Sequence, residues 1–239
     1  MGGRVVKRAY RYRFYPTLQQ AGLLNRTFGS ARYVYNRALA ERSRAWTQEQ
    51  KRVTFADTCR MLTQWKADPE TAWLYEVSNV ALQQSLQHLQ NAYLAFWRKQ
   101  GRYPRFKSKR KSRASATFTR SGFSWRDGRI TLAKCAAPLD IRWSRALPAD
   151  ANPSSVTVSR DSAGRWHISI LCEDTVHDGP ATTAAVGLDA GITSLLTLST
   201  GEKVTNPKHE KADRVRLAKA QRNLSRKTKG SANRAKAKL

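Results

Sequence analysis

The sequence predicts an α+β fold, with helices inserted into a small β-barrel or curved sheet. Three observations support this class. Apolar and charged residues alternate over residues 6–14, amphipathic helical periodicity covers residues 17–101, and the alternation returns after residue 115. The simplest arrangement lets the N-terminal strand pair with the later strands, so that the helices form an insertion between them.

The composition indicates a globular and strongly basic protein. The 239 residues are 40% hydrophobic, which is enough for a core, and 44 Lys and Arg against 17 Asp and Glu give a formal net charge of +27. Such a charge indicates a large polyanionic partner, with nucleic acid as the best candidate. There is no apolar run of about 18 residues, no signal-peptide pattern and no lipidation signal. We therefore expect no membrane partner and a cytoplasmic, nucleoid-associated location.

Local signals define the first strand and the first helices. Pro16 ends the strand, and Thr17 with Gln20 forms a capping-box pattern that begins a helix. Gly29 interrupts this helix and Ser30 begins another, which is the spacing of a helix-turn-helix. One helix could lie in a DNA major groove, although an ordinary helical hairpin with a solvated face is more common. The outer side of the pair carries arginines at Arg26, Arg32, Arg37, Arg42 and Arg44.

Two further helices and a basic segment complete the insertion. The pattern predicts helices over residues 54–66 and from Ser78 to Gly101, the second with a continuous apolar face. No acidic residue occurs between Val77 and Arg126, and the run RYPRFKSKR in this window interleaves cations with aromatic residues. We predict an ordered segment that follows the surface and contacts phosphate, with its aromatic side chain as the anchor. Its contact residues would be Arg105, Phe106, Lys107 and Lys109.

The residues after this segment predict a series of strands. Asp127 and Gly128 form the turn of a β-hairpin, and Gly, Pro and Thr are frequent in residues 174–183, which predicts a linker. The predicted strands cover residues 116–125, 129–132, 139–143, 154–159 and 166–172.

A single carboxylate, Asp189, stands inside the apolar stretch AVGLDAGI. Gly187 and Gly191 leave space on its face of the predicted strand, so that a phosphate or a metal ion could approach it. A hairpin and a third strand follow, and Asn206 with Pro207 predicts the start of a basic helix. This is the opening order of ribonuclease H-like domains. A turn Asp that caps an amide, or the phosphate loop of actin-like ATPases and sugar kinases, are the alternatives.

The order of these pieces resembles that of the OrfB/TnpB proteins of insertion sequences, RNA-guided nucleases related to type V CRISPR effectors. The resemblance is carried by YRFYPTLQQ, TFGSARYVYNRALAER, WLYEVSNVALQQSLQHLQNAY, YPRFKSK, VGLDAGITSLLTLSTGEKVTNPK and LAKAQRNLSRKTKGS, and it spans essentially the whole chain. It implies a wedge-type β-barrel with a helical recognition insertion, followed by the start of a ribonuclease H-like (RuvC) α/β domain. The implied domains are residues 1–16 plus 102–180 for the barrel, 17–101 for the insertion and 181–239 for an incomplete RuvC-like domain.

The same resemblance implies partners, a cofactor and site residues. The partners would be a guide RNA and double-stranded target DNA, and the cofactor would be Mg2+ with Asp189 as its first ligand. Duplex DNA beside the target would be read at Phe55, Gln83, Thr119 and Arg120, which match the positions that do so in the family.

The family's later catalytic carboxylates and its zinc ribbon correspond to positions beyond residue 239. Glu210 is not expected to replace the second ligand, because the family motif places that residue much farther on. Since two-metal cleavage needs several carboxylates, we expect an N-terminal portion of such an endonuclease that does not cut by itself. Two other functions stay open: a helix-turn-helix DNA-binding protein without guide RNA, and an actin-like or sugar-kinase-like ATPase, for which a charge of +27 is excessive.

Overall fold

The computed structural model describes residues 3–110, 112–148, 151–177, 179 and 183–238. The chain divides into two compact units, one formed by Gly3–Val176 and the other by the residues from His177 onward. Ten strands are described, β1 (Gly3–Tyr15), β2 (Ala114–Thr119), β3 (Phe123–Arg126), β4 (Arg129–Leu132), β5 (Asp140–Arg142), β6 (Ser155–Arg160), β7 (Trp166–His177), β8 (Leu188–Ala190), β9 (Ser194–Leu198) and β10 (Lys203–Thr205). The described α-helices are α1 (Leu18–Glu49), α2 (Phe55–Ala67), α3 (Asn79–Trp97), α4 (His209–Ser225) and α5 (Ala232–Lys238).

The first unit is built on a five-stranded sheet of order β2-β6-β7-β1-β5. The N-terminal strand therefore pairs with the later strands, as its alternating pattern predicts. β3 and β4 form a separate hairpin, in which Asp127 and Gly128 both have positive φ, 48° and 71°, as a two-residue turn of the primed type requires. Within the described residues β2 and β5 lie at the two ends of the strand order and do not pair with each other. Closure into a wedge barrel therefore stays a prediction.

The core of the sheet lies on the face toward the helices. Tyr10, Tyr12 and Phe14 of β1 are buried there with the alternate residues of β6 and β7, and α1 contributes Leu24 and Phe28. A strand that alternates in this way buries every second side chain, and full burial of each large apolar side chain stabilises by about 1.5–3 kcal/mol. The hydrophobic effect thus holds the helical insertion against the sheet.

The predicted helix-turn-helix around Gly29 is wrong, because α1 is one continuous helix from Leu18 to Glu49. Its capping box at Thr17 and Gln20 is confirmed, with both reciprocal hydrogen bonds present. Gly29 costs only about 1 kcal/mol in a helix, less than the burial of residues that continue the stripe beyond it, such as Val34 and Leu39. The apolar stripe keeps its helical phase across the glycine, so no turn is needed.

Replacement of Gly29 by Ala is expected to stabilise the protein by about 0.5–1 kcal/mol, because a helical backbone favours Ala and nothing lies within 4 Å of the added Cβ. Urea unfolding measures the change. Gly128→Ala is the matched control and should destabilise, since Gly128 has a φ of 71°. If Gly29→Ala destabilised the protein as Gly128→Ala should, the chain would turn at residue 29.

The other helices and the strand that follows them agree with their predicted signals, with one correction to a helix and one to the strand. α2 begins after a capping box between Thr54 and Asp57. α3 ends at Trp97 and does not reach Gly101, because Lys99 has a left-handed φ of 57° and the following amides bond back to the Ala95 carbonyl. The predicted strand over residues 116–125 is interrupted by a 3₁₀ turn, Arg120–Gly122. A Cβ at Gly122 would lie 3.0 Å from Val80 Cγ1 of α3, so the interruption lets the two backbones approach.

The predicted linker begins later than residue 174. β7 continues to His177 because Asp174 is fixed on the neighbouring strand, where its Oδ2 accepts hydrogen bonds from Arg8 at 2.7 Å and from the Tyr10 hydroxyl at 2.8 Å. Of the remaining linker, residues 178 and 180–182 lie outside the described part.

The second unit contains a three-stranded meander of order β10-β9-β8, followed by α4 and α5. The predicted N-cap at Asn206 is wrong, because Lys208 occupies the N-cap position of α4. The Asn206 side chain is engaged elsewhere, since it donates to the Ile192 carbonyl at 2.8 Å and accepts from the Lys208 amide at 2.9 Å. It thereby ties the end of the meander to the turn after β8.

Candidate nucleic-acid interface

Asp189 lies at the centre of β8 and is exposed. Its flanking glycines lie close to the rest of the hairpin: the Gly187 amide donates to Ser199 Oγ at 3.0 Å, and a Cβ at Gly191 would lie 3.0 Å from the Ser194 carbonyl oxygen. No described residue forms a hydrogen bond or an ion pair with the Asp189 carboxylate. The alternative of a turn Asp that caps a nearby amide is therefore not found.

The described residues around Asp189 do not complete a Mg2+ site. The strand register places Thr197 beside it and Lys203 beyond Thr197 on the same face, about 10 Å away by the spacing of strands. Mg2+ needs several oxygen ligands in octahedral geometry. Among the residues described, no three His, Cys, Asp or Glu side chains come together as a metal site. Asp189 can supply one ligand and no more.

Three of the four expected DNA-reading positions belong to elements that meet. Gln83 is exposed on α3, one turn after Val80, and Val80 packs against the 3₁₀ turn that Arg120 begins. Thr119 is the last residue of β2, directly before that turn. The fourth, Phe55, begins α2, which also contacts α3, and its half-buried side chain packs against the helical core. The nucleic-acid contacts of these residues stay a prediction.

The basic segment after α3 is ordered along α1, as its sequence predicts. The Lys107 amide donates to Asn36 Oδ1 at 2.8 Å, and Asn36 Nδ2 donates to the Lys107 carbonyl at 2.9 Å. The Tyr103 hydroxyl is 2.8 Å from Ser43 Oγ and 3.0 Å from the Tyr93 hydroxyl. These bonds attach the segment at two points, and hold its backbone close to the helix.

The anchor of this segment is Lys107, and the prediction that Phe106 anchors it is wrong. Phe106 is 63% exposed, whereas Lys107 Nζ lies 3.9 Å from the centre of the Tyr35 ring. Burial lowers the pKa of Lys107. Of the predicted contact residues, Arg105 and Lys109 are the exposed cations, and both are free to meet phosphate.

The sheet face turned away from the core carries hydroxyl groups that we did not single out from the sequence. The register aligns Thr117 with Thr157 and Ser169 in one row, and Thr117 Oγ1 lies 3.0 Å from Thr157 Oγ1. The period-two patterns ASATFT and SVTVSR could have revealed them, since each apolar residue alternates with a Ser or Thr. The hydroxyls of this outer sheet face belong to Ser115, Thr117, Thr119, Ser155, Thr157, Ser159 and Ser169.

Arginines border these hydroxyls. Arg113 donates to Ser159 Oγ at 3.0 Å, while Arg11 and Arg13 of β1 point away from the buried Tyr10, Tyr12 and Phe14. Burial and the Arg11 guanidinium lower the pKa of His167, which favours the neutral imidazole. Within the described residues Arg13 Nε and His167 Nδ1 are buried without a hydrogen-bond partner. Hydroxyl and guanidinium donors on one face suit sugar and phosphate oxygens.

Two family models of insertion-sequence OrfB proteins match the chain. The model described as a helix-turn-helix domain matches residues 1–51, and the model described as a probable transposase matches residues 167–239. The first match covers β1 and α1, where the structure has one continuous helix. No helix in the described ranges combines the length and the apolar character needed to cross a membrane.

Two relatives align with nearly the whole chain. A protein of Streptomyces pristinaespiralis named as an RNA-guided DNA endonuclease is 65% identical over 232 residues, which are 97% of this chain and 58% of that protein. InsQ of Escherichia coli K12, named in the same way, is 34% identical over 226 residues, 94% of this chain and 55% of that protein. The chain thus spans a little over half the length of these relatives.

Among solved structures, a ternary complex of CRISPR-Cas12f aligns with 93% of this chain and 56% of its own chain, at 12% identity and a TM-score of 0.44. A TM-score of this size does not establish a shared fold.

Proposed function

Since this chain belongs to the OrfB/TnpB family of insertion sequences, we propose that it is the nucleic-acid-binding part of an RNA-guided DNA endonuclease. It would hold a guide RNA and engage double-stranded target DNA. The observation that carries the proposal is the ordered cationic surface of the first unit, in which the basic segment is fixed to α1 by the two hydrogen bonds between Asn36 and Lys107. The names of the two relatives support the same function.

The first unit offers two kinds of surface for this role. The outer sheet face and the basic segment present hydroxyl, guanidinium and ammonium donors, which contact the backbone of RNA or DNA without reading its sequence. The exposed end of α3 presents Gln83, whose amide can pair with the edge of adenine, beside Thr119 and Arg120, and an Arg can pair with guanine. This end of the unit is the proposed reader of duplex DNA, with Phe55 as the fourth contact residue.

The domain assignment is proposed with the function. Residues 1–16 plus 102–180 would form the wedge barrel, 17–101 the recognition insertion and 181–239 the start of the RuvC-like nuclease domain. The meander with Asp189 on its first strand, followed by α4, supports the last assignment. Asp189 would be one ligand of Mg2+, which supplies Lewis-acid chemistry in such nucleases. Because the described residues do not complete that site, binding and positioning are the functions proposed for this chain.

Nucleic acid that co-purifies with the chain tests the proposal and separates it from the alternatives. We expect a high ratio of absorbance at 260 to 280 nm that falls after treatment with RNase and not with DNase, because structured RNA would be the primary partner. A DNA-binding protein that uses no guide would carry DNase-sensitive material. An ATPase would carry neither and would hydrolyse ATP, and either of these two results would overturn the proposal.

A further inference from the structure

A cavity of about 460 Å³ opens where the C-terminal halves of α1 and α3 meet the loop between α1 and α2. This size is in the range of ligand-binding sites. The cavity, called the aromatic pocket below, is lined chiefly by Arg42, Trp46, Arg52, Tyr93, Trp97 and Tyr103. None of the expected DNA-reading residues Phe55, Gln83, Thr119 and Arg120 lines it.

Arg42 is the unusual residue of the aromatic pocket. It is only 7% exposed, and its guanidinium stacks 4.1 Å from the centre of the Tyr93 ring. Its one described hydrogen bond goes to Gln90 Oε1 at 2.9 Å, and no described carboxylate pairs with it. A guanidinium has five N–H donors, and a buried cation is costly unless an anion or several acceptors satisfy it. The pocket therefore contains donors suited to an anionic ligand.

The walls of the aromatic pocket present flat rings to solvent. Trp46 is 59% exposed and Trp97 is 44% exposed, although large aromatic side chains usually bury most of their surface. The Tyr103 hydroxyl is held by Ser43 and Tyr93, and the Arg52 guanidinium lies 5.2 Å from the centre of the Trp97 ring. These contacts hold the rings of Tyr103 and Trp97 in place before any ligand enters.

The charge around the pocket selects between ligand classes. Arg42, Lys51 and Arg52 line it, which disfavours the cationic ligands that aromatic cages otherwise attract. The acids of the neighbouring surface are paired with arginines and do not neutralise these cations. The pairs are Glu41 with Arg44 at 2.9 Å, Glu49 with Arg44 at 3.6 Å and Asp57 with Arg60 at 2.6 Å.

We propose that the aromatic pocket binds one unpaired nucleotide of the bound nucleic acid. The base stacks on the exposed rings of Trp46 and Trp97, and the phosphate is held by Arg42 and Arg52. A nucleotide in a paired duplex keeps its base inside the stack, so the pocket distinguishes single strands, loops and ends from duplex. This inference rests on the proposed nucleic-acid binding and names one further site for it.

The test compares a labelled single-stranded RNA without self-complementarity and the same strand annealed to its complement, with affinity measured by fluorescence anisotropy. Trp97→Ala and Trp46→Ala should each weaken single-strand binding by about tenfold, the size of one base–aromatic stack, and leave duplex binding unchanged. Trp73→Ala is the matched control, because Trp73 is 39% exposed and lies outside the pocket. Arg42→Met should lower the slope of log affinity against log salt by about 0.7, as expected for one lost phosphate contact on a single strand.

The outcomes separate this inference from the proposed function. If Trp46→Ala and Trp97→Ala bind the single strand as tightly as the parent, the pocket does not hold an unpaired base. The same conclusion follows if these variants lose duplex affinity as much as they lose single-strand affinity. The proposed function survives that result, because the parent still binds. A parent chain that binds neither RNA form would overturn the proposed function and this inference together. Trp46 is the more exposed ring, so its variant keeps the test valid if Trp97→Ala fails to fold.

Discussion

An increase in salt from 50 to 200 mM is expected to weaken the binding of this chain to duplex DNA by about a thousandfold or more. Each phosphate that the protein neutralises releases condensed counterions, and six to ten such contacts produce a loss of about this size. A net charge of +27 and an exposed basic segment make that number of contacts reasonable. Equilibrium binding at several salt concentrations measures the slope.

A double variant of the basic segment locates part of this salt effect. Arg105→Ala together with Lys109→Ala should lower the slope of log affinity against log salt by about 1.8, because two phosphate contacts on duplex are lost at about 0.9 each. The melting temperature should stay unchanged, since both side chains are exposed. Lys107→Ala is the control with the opposite expectation: stability should fall, because Lys107 packs on Tyr35. Binding that barely changes with salt would rule out a phosphate-dominated interface.

The purified chain of 239 residues is expected to show no cleavage of supercoiled plasmid that depends on both Mg2+ and Asp189. Two divalent cations close together repel each other, and they are held only where several carboxylates converge. Downstream of Asp189 the acids are Glu202, Glu210 and Asp213. Glu210 pairs with Arg214 at 2.8 Å, and none of the three joins Asp189 in a metal-binding group within the described residues.

Asp189→Ala is the control for this experiment, because it separates a site in the chain from a contaminating nuclease. Parent and variant should produce the same background of nicked plasmid at every Mg2+ concentration. Mg2+-dependent nicking by the parent that disappears in Asp189→Ala would show that a complete site forms from this chain, and would contradict the expectation.

Much of the secondary structure is encoded in short patterns. The capping boxes at Thr17 and Thr54 act within one helical turn, and the hairpin turn at Asp127 and Gly128 depends on two adjacent residues. These interactions are local, so the sequence predicts them directly. The turn expected at Gly29 failed because a local preference of about 1 kcal/mol competes with the burial of a long apolar stripe. Competition with tertiary packing is not visible in a window of a few residues.

In the candidate sites too, the sequence predicted the local features and missed those that depend on long-range packing. The sequence predicted an ordered basic segment and a strand that carries Asp189, and both are found in the structure. It did not predict the aromatic pocket, because Trp46 and Trp97 lie on two helices that a long-range packing brings together. The signal that could have suggested it is a tryptophan near the C-terminal end of each helix.

By itself the sequence determined the sign of the charge and the alternation that buries one face of the sheet, and its charge of +27 favours a polyanionic partner. Only the tertiary structure decided the surroundings of each cation. Nothing in the sequence around Arg42 and Lys107 distinguishes them from the other cations. In the structure Arg42 is buried on Tyr93 and bonded to Gln90, and Lys107 packs on Tyr35. Burial depends on residues that are far apart in the chain, and it changes the cost of desolvating each charge.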